Sequence, residues 1–331
     1  MPKASRQQQP HCAVAPTASD WCANIFNCAR YRSARWFPRT QGLTLLCATT
    51  ACSLAISCSQ PATRTEAIAF PFAPPSGTAW RVTEQRVTTT IRAGRKTVQP
   101  IDSAGTLAVV ATGSTGATME WTLETSTLNG APTSQGMTEG LIGSPIRFRT
   151  DQSGAPTIVE SITVARSSDA PGRASDSANP LDRLLKGTDP GTLALMLLPQ
   201  VTAISSCQNL QFGAEHTFTR QGEAPGIGAG SPIRYSVVVV LDDPGSASRP
   251  ALLRITESFD PESAAASFSQ AYQAAGRLPK NGLPLMARDT VTNCEIDTTT
   301  GVTTRVKVET TVRTEDVELR ETREITLGRT R

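Results

Sequence analysis

The stretch Val302-Thr303-Thr304-Arg305-Val306-Lys307-Val308-Glu309-Thr310-Thr311-Val312-Arg313 decides the fold. In an extended chain Val302, Val306, Val308 and Val312 fall on one face, and Arg305, Lys307, Glu309 and Arg313 on the other. Side chains of a strand alternate between faces, so this pattern specifies a strand packed on one side and wet on the other. Met286–Asp297 before it and Val317–Leu327 after it also read as strands, with a turn at Thr300-Gly301. The C-terminal part therefore reads as an antiparallel meander with one greasy and one charged face.

Strand patterns also occupy the N-terminal part, over Trp80–Ile91, Thr106–Thr112 and Ala117–Leu128. In the first, Trp80 and Val82 share one face while Val87, Thr89 and Ile91 share the other, and that change of parity predicts a bulge. Ala93-Gly94-Arg95-Lys96 and Gly113-Ser114-Thr115-Gly116 read as turns, and Asn129-Gly130 as a tight hairpin. The hexapeptide Gly143-Ser144-Pro145-Ile146-Arg147-Phe148 returns as Gly230-Ser231-Pro232-Ile233-Arg234-Tyr235. Each copy opens a strand with proline near its first position, where no ladder donor is needed. Each then passes a turn, at Asp151–Pro156 or Asp242–Pro250, into another strand. This repeat predicts a duplicated hairpin unit and pseudo-symmetry, with coincidence in a Gly-, Ser- and Pro-rich chain as the alternative.

Helical patterns lie mainly between and after these copies. Asn179-Pro180 opens a short helix through Leu181, Leu184 and Leu185 after a polar loop, Ser167–Ser177. Gly191–Leu198 is a compact apolar segment ended by Pro199. Pro261–Ala275 is the clearest helix, with Asp260 as N-cap, Pro261 at the first position and Gly276 beyond the end. The expected fold is a β-rich α+β domain: a curved antiparallel sheet or partial barrel with two or three helices on one face. It spans residues 78–330, with two related halves (78–178 and 200–330) joined by a helical segment.

Upstream, Arg30, Arg32, Arg35 and Arg39 flank an apolar run, Gly42–Ser57, and no acidic residue lies between Asp20 and Glu66. The run has signal-peptide length, about 7–15 apolar residues. Diluted by Thr44, Thr49, Thr50 and Ser53, it falls short of the roughly 20 apolar residues a spanning helix needs. Ala55-Ile56-Ser57 then leads into Cys58. Basic flank, apolar run, small residue and cysteine together resemble the lipobox of bacterial lipoproteins. Alanine at position 55, where leucine is more usual, departs from that pattern. The resemblance implies that residues 1–57 are a leader and signal peptide that is removed, and that Cys58 is lipidated and becomes the first residue. Residues 58–77, with Pro61, Pro71, Pro74 and Pro75, then form a flexible tether. Ser59 resembles the outer-membrane sorting pattern, which places the protein in the envelope, on the periplasmic face of the outer membrane. Cleavage after Ala51 to expose Cys52, release by an ordinary signal peptidase, and retention of the run as an anchor are the alternatives.

The leader changes the charge and cysteine arithmetic. The chain carries 32 basic and 29 acidic residues, but six basic residues and Asp20 precede Cys58, which leaves 26 against 28, a net charge of −2. No basic excess remains to suggest nucleic-acid binding. Of eight cysteines, only Cys207 and Cys294 follow Cys58. An even pair in an oxidising compartment predicts a disulfide, with two buried thiols as the alternative.

Catalytic and metal-binding patterns are sparse. His216 is the one histidine after the leader, no Gly-x-Ser-x-Gly elbow accompanies it, and it reads as a strand-end residue rather than a triad member. Asp242-Asp243 reads as turn chemistry beside Pro244-Gly245. Glu295 and Asp297 read as exposed strand charges, and Gly226–Gly230 as a hairpin loop without the lysine of a phosphate loop. The expectation is no catalytic residue, no metal and no cofactor. What remains is an apolar pocket or groove under the helices, with Leu193, Leu195, Leu197, Phe268 and Tyr272 as candidate lining. Long strands, intervening helices and lipobox are similar in outline to the carriers and receptors that ferry lipoproteins to the outer membrane, although no motif of that family matches residue by residue. The expected function is a non-enzymatic envelope lipoprotein, anchored to a membrane through its lipid, that binds an apolar small molecule, a lipid or an envelope protein. The alternatives are a structural or assembly lipoprotein acting through strand edges and, third, an envelope hydrolase around His216.

Overall fold

The computed structural model describes residues 67–133, 141–163, 190–224, 226, 230–274, 276, 286–314 and 317–330. The leader with Cys58, the Ser167–Ser177 loop and the helix expected after Asn179 lie outside the described residues.

In the N-terminal part the strands are β1 (Ile68–Ala69), β2 (Ala79–Arg92), β3 (Arg95–Gly113), β4 (Gly116–Leu128), β5 (Ala131–Pro132), β6 (Ile146–Thr150) and β7 (Pro156–Ile162). Two helices follow, α1 (Pro190–Leu197) and α2 (Pro199–Ser205). The C-terminal part contains β8 (Gln211–Phe212), β9 (Thr217–Ala224), β10 (Ile233–Asp243), β11 (Ala251–Phe259), α3 (Pro261–Ala274), β12 (Ala287–Ile296), β13 (Thr303–Arg313) and β14 (Val317–Arg329).

One open antiparallel sheet holds nearly all of this, in the order β7-β6-β4-β3-β2-β14-β13-β12-β11-β10-β9, with β5 added to β4. The chain runs outward from the middle of the sheet to β7, crosses over through α1 and α2, and returns from β9 to the middle. There β14 pairs with β2 along thirteen register partners, from Val317↔Arg92 to Arg329↔Trp80. Short-range hairpins build each meander, whereas the central ladder joins residues some 240 positions apart, as in the Thr83–Thr326 hydroxyl contact (2.6 Å). Closing so long a loop costs entropy before it returns contacts, so this ladder is the slow, non-local part of the fold.

Direct register partners on antiparallel strands point to the same side. By that rule Trp80, Val82, Leu107, Trp121, Val306, Val308, Leu253 and Val239 share one face, and all are buried. The described helices pack against this face. The opposite face carries the charge. Arg81 pairs there with Glu124, Arg305 with Glu295 and Glu324, and Lys307 with Glu309. Side chains of such pairs remain a third to a half exposed or more, so each adds little beyond solubility.

Four expectations are corrected. The alternation of β2 carries no bulge, since its ladders to β3 and β14 run without a register shift. Its parity break arises because Glu84 and Arg86 continue the inward face after Trp80 and Val82. Bulges lie instead between β3 and β4, with Val110 the extra residue on β3 and Glu124 the extra residue on β4. β3 also starts at Arg95, so the turn is Ala93-Gly94 alone, both at positive φ (47° and 74°), and Pro100 stands inside the strand. Pro199 does not end helical structure. Leu198, forced out of the helical region before proline (φ −122°, ψ 45°), separates α1 from α2, and Pro199 begins α2, where its missing N–H is no loss. Finally, the end of the expected tether is packed: Ile68–Ala69 pair with Gln211–Phe212, Phe70 is buried, and Ala73 N donates to Thr300 O (2.9 Å).

The hexapeptide copies lie in different meanders. The first opens β6, between β4 and β7, and the second opens β10, between β9 and β11.

Candidate functional site

The helix-bearing face is divided into two apolar clusters. The larger gathers Trp80, Trp121, Phe148, Val306 and Leu253 from the sheet under Leu193, Leu197, Leu198, Val201 and Ile204 from α1 and α2. These five side chains, four helical and Leu198 of the link, are at most 4 % exposed, so this segment fills the face rather than skirts it. Burying each is worth about 1.5–3 kcal/mol. A small, water-sized apolar crevice remains between α2 and the sheet, bordered by Phe72, Trp80, Met119, Val201 and Ile204.

Covalent and polar staples hold α2 in place. Cys207, just beyond α2, forms the expected disulfide with Cys294 on the inward face of β12, with Cα atoms 6.4 Å apart and a sequence separation of 87. Near the start of α2, Gln200 Nε2 donates to Glu84 Oε2 (2.7 Å). Glu84 also accepts from Ser103 Oγ on the same oxygen (3.1 Å), while Arg323 Nε donates to its Oε1 (2.6 Å). Glu84 and Arg323 are both buried. Burial pushes the Glu84 carboxyl upward, but Arg323, Arg86 and the hydrogen bonds outweigh it, and the net shift is below the usual carboxylate range. A charge this deep is tolerated only because both of its oxygens are bonded.

The second cluster sits toward the other end of the strands. Ile233, Tyr235, Phe259, Met286 and Val312 pack there under Ala264 of α3, with Phe268 and Ala271 half-buried against them. Asp260 caps α3 as expected, accepting from Ser263 N through Oδ2 (3.1 Å). Between the clusters runs a polar row of direct register partners on five strands: Thr88, Glu321, Thr310, Thr290 and Glu257. Arg288, buried next to this row, stacks over Phe259 (4.8 Å) and lies 3.8 Å from Glu257. Burial lowers its guanidinium from the usual range, opposed by Glu257 and Glu321.

The candidate lining residues do not converge. Leu193 and Leu197 are buried in the larger cluster, whereas Phe268 belongs to the second. The side chains of Leu195 and Tyr272 lie outside the described residues, although both positions are helical. His216 sits in a turn at positive φ (52°), where its carbonyl accepts from Leu241 N (2.8 Å). Asp243 accepts from Gly245 N (2.9 Å) and pairs with Arg249, and Asp242 pairs with Arg254, so that pair is turn chemistry. Glu295 is held by Arg305, and Asp297 folds its own turn by accepting from Thr299 N (2.8 Å). Among the described residues no group of three or more His, Cys, Asp or Glu side chains converges as a metal site. No described helix is long and apolar enough to cross a membrane.

Sequence reasoning missed the Glu84–Arg323–Gln200–Ser103 network. Its signal was present as charged residues at inward parity, Glu84 and Arg86 after Val82, and Arg323 before Ile325 and Leu327.

No protein-family model matches the chain, and no curated protein matches it. Among solved structures, a lipovitellin described for its lipid–protein interactions is similar over 77 % of this chain at 9 % identity and a TM-score of 0.43. The similarity spans only 25 % of that chain's length. DynF from the dynemicin biosynthesis pathway of Micromonospora chersina is similar over 78 % of this chain and 84 % of its own, at 7 % identity and a TM-score of 0.20. An outer-membrane channel from Pseudomonas putida F1 covers 81 % of this chain and 99 % of its own, at 9 % identity and a TM-score of 0.16. Likenesses at such TM-scores leave both kinship and function open.

Proposed function

We propose that this chain is an envelope lipoprotein, lipidated at Cys58, that binds an apolar ligand on the helix-bearing face of its open sheet and performs no catalysis. The observation that carries this reading is the cover of α1 and α2. A helical pair that buries Leu193, Leu197, Val201 and Ile204 lies over an apolar sheet face and is fastened at two points, Gln200–Glu84 and Cys207–Cys294. Such a cover can give way to a ligand of similar apolarity, because the exchange replaces one buried apolar surface by another. The water-sized crevice beside α2 is where that exchange begins. Lipidation, the periplasmic face of the outer membrane and the internal duplication belong to the same proposal, supported by the lipobox resemblance and by the repeated hexapeptide.

The test is native mass spectrometry of the full chain expressed with its own leader in a two-membrane bacterium. A mature chain starting at lipidated Cys58 and carrying one apolar molecule is expected. An empty chain that retains α1–α2 closed in the presence of added lipid overturns the ligand reading. A second reading, assembly through strand edges, is favoured by β9. It ends the described sheet order, and Thr217, Thr219, Arg220, Gln221 and Glu223 on it are exposed. Edge strands left open in this way are templates for pairing with another chain. Cross-linking that captures β9 against an envelope protein, with no bound lipid, would select this second reading.

A further inference from the structure

Arg86 and Arg323 are direct register partners on β2 and β14, so two guanidinium groups face the same side of the sheet from adjacent strands. Like charges in that arrangement repel. One carboxylate acts on both, and its oxygens are already bonded: Glu84 accepts from Arg323 on one oxygen and from Gln200 and Ser103 on the other. Glu84 reaches Arg86 only through its charge. Arg86 Nε is shielded from solvent and has no hydrogen-bond partner, which is costly for a charged donor. Glu321, two positions from Arg323 on the same face, and Glu257 act on Arg288 through their charge.

The neighbours of Arg86 on its other side are apolar. Ile101 on β3 is its direct register partner, and Leu128 on β4 is the partner of Ile101. Leu128 is 41 % exposed, although it points to the helix-bearing face. An under-neutralised cation thus stands at the head of a partly uncovered apolar strip.

We infer that Arg86 receives the anionic head of an amphiphile whose apolar body lies along Ile101 and Leu128. This rests on the apolar-ligand reading above and narrows its ligand class to a single-headed anion with a hydrocarbon chain. The head would pair with the half-buried Arg86 guanidinium and would supply a second negative charge beside the two arginines.

The test measures binding of oleate, oleyl alcohol and acetate to the full chain and to its Arg86→Gln variant by isothermal titration calorimetry. Oleate is expected to bind roughly tenfold or more tightly than oleyl alcohol, the contribution of a hydrogen bond to a charged group. Acetate, a head without a chain, is expected not to bind measurably. Arg86→Gln should erase the preference for oleate, leave oleyl alcohol unchanged and keep or raise the melting temperature, because it removes a like-charge pair. Equal affinity for oleate and oleyl alcohol, or a preference that survives Arg86→Gln, overturns the inference while the apolar-ligand reading stands. Acetate binding as tightly as oleate also overturns it, as an ion site with no use for a chain. Failure of both long-chain probes to bind removes the inference and the apolar-ligand reading together.

Discussion

The same five residues, Gly-Ser-Pro-Ile-Arg, begin β6 and β10, and the two outcomes separate what a short string dictates from what its surroundings dictate. In both copies the isoleucine turns inward to about 1 % exposure, and the aromatic residue two positions on follows it, Phe148 at 0 % and Tyr235 at 9 %. Proline at the strand's start and the period of two suffice for that much. Everything beyond the strand differs. The first copy leans on its own meander: Gly143 N donates to Leu123 O (2.7 Å), and Phe148 joins the cluster under α1 and α2. The second is clasped by α3, where Arg234 N donates to Ser263 Oγ, Arg234 pairs with Asp260, and Ser231 N donates to Gln270 Oε1. The cluster that the first copy joins is stapled by a disulfide and two helices, and the cluster of the second is closed by a single polar-capped helix.

The largest expected effect tests the staple. Cys207→Ala with Cys294→Ala should lower stability by about 4–5 kcal/mol, the chain-entropy value for a loop of this length. Urea unfolding measures the loss. Hydrogen exchange should show it at α1 and α2 first, and equal loosening of α3 would deny the division into two clusters. Next, Phe148→Ala should cost about 3–5 kcal/mol and Tyr235→Ala less, since only Phe148 is sealed on all sides. Equal losses would mean that the second cluster is packed as tightly as the first.

Each half also lays an aromatic ring over a glycine. A Cβ on Gly105 would meet Thr122 O at 2.3 Å and the Trp121 ring at 2.6 Å, whereas on Gly222 it would meet the phenol end of Tyr235 at 2.6 Å. Gly105→Ala should therefore cost about 1–3 kcal/mol by overpacking against backbone. Gly222→Ala should cost less, because the end of a side chain can swing away; melting temperatures of the two variants decide it. Ser263→Ala removes the acceptor of Arg234 N, and a loss of about 1 kcal/mol is expected with no counterpart at the first copy. Arg234 N turning out as protected in that variant as in the parent chain would contradict the clasp.

The smallest effect at neutral pH comes from titration of Glu84. Its folded pKa lies below the unfolded value, so its contribution is complete above the ordinary carboxylate range and disappears as pH falls through the folded pKa. Melting temperature should be insensitive to this group near neutrality and fall in acid. Replacing the pair together, Glu84→Gln with Arg323→Gln, should make the acid slope shallower, and an unchanged slope would show that other carboxylates set it.

Legibility from sequence followed the same division. The strands from Val302 to Arg313 and from Ala117 to Leu128, the Asn129-Gly130 turn, the Asp260 cap and the Cys207–Cys294 pair were readable, because each rests on neighbours in sequence or on a count. α2 was not, since Gln200–Ser205 carries little helical signal of its own and is held by burial, the Gln200–Glu84 bond and the disulfide. Glu84 and Arg86 registered only as a change of parity, and Arg323 reads as the end of a solvated charged run from Glu315 although it is buried, because a charge at an inward position makes sense only once its partner, some 240 residues away, is known. By itself the sequence determined which residues alternate, where strands turn and which helix is capped, because those preferences act over a few residues. Only the tertiary structure decided that β14 closes on β2, that the helices divide one face into two clusters, and that two arginines share one buried carboxylate. Those outcomes depend on groups distant in sequence competing for the same buried space, and no local propensity encodes that competition.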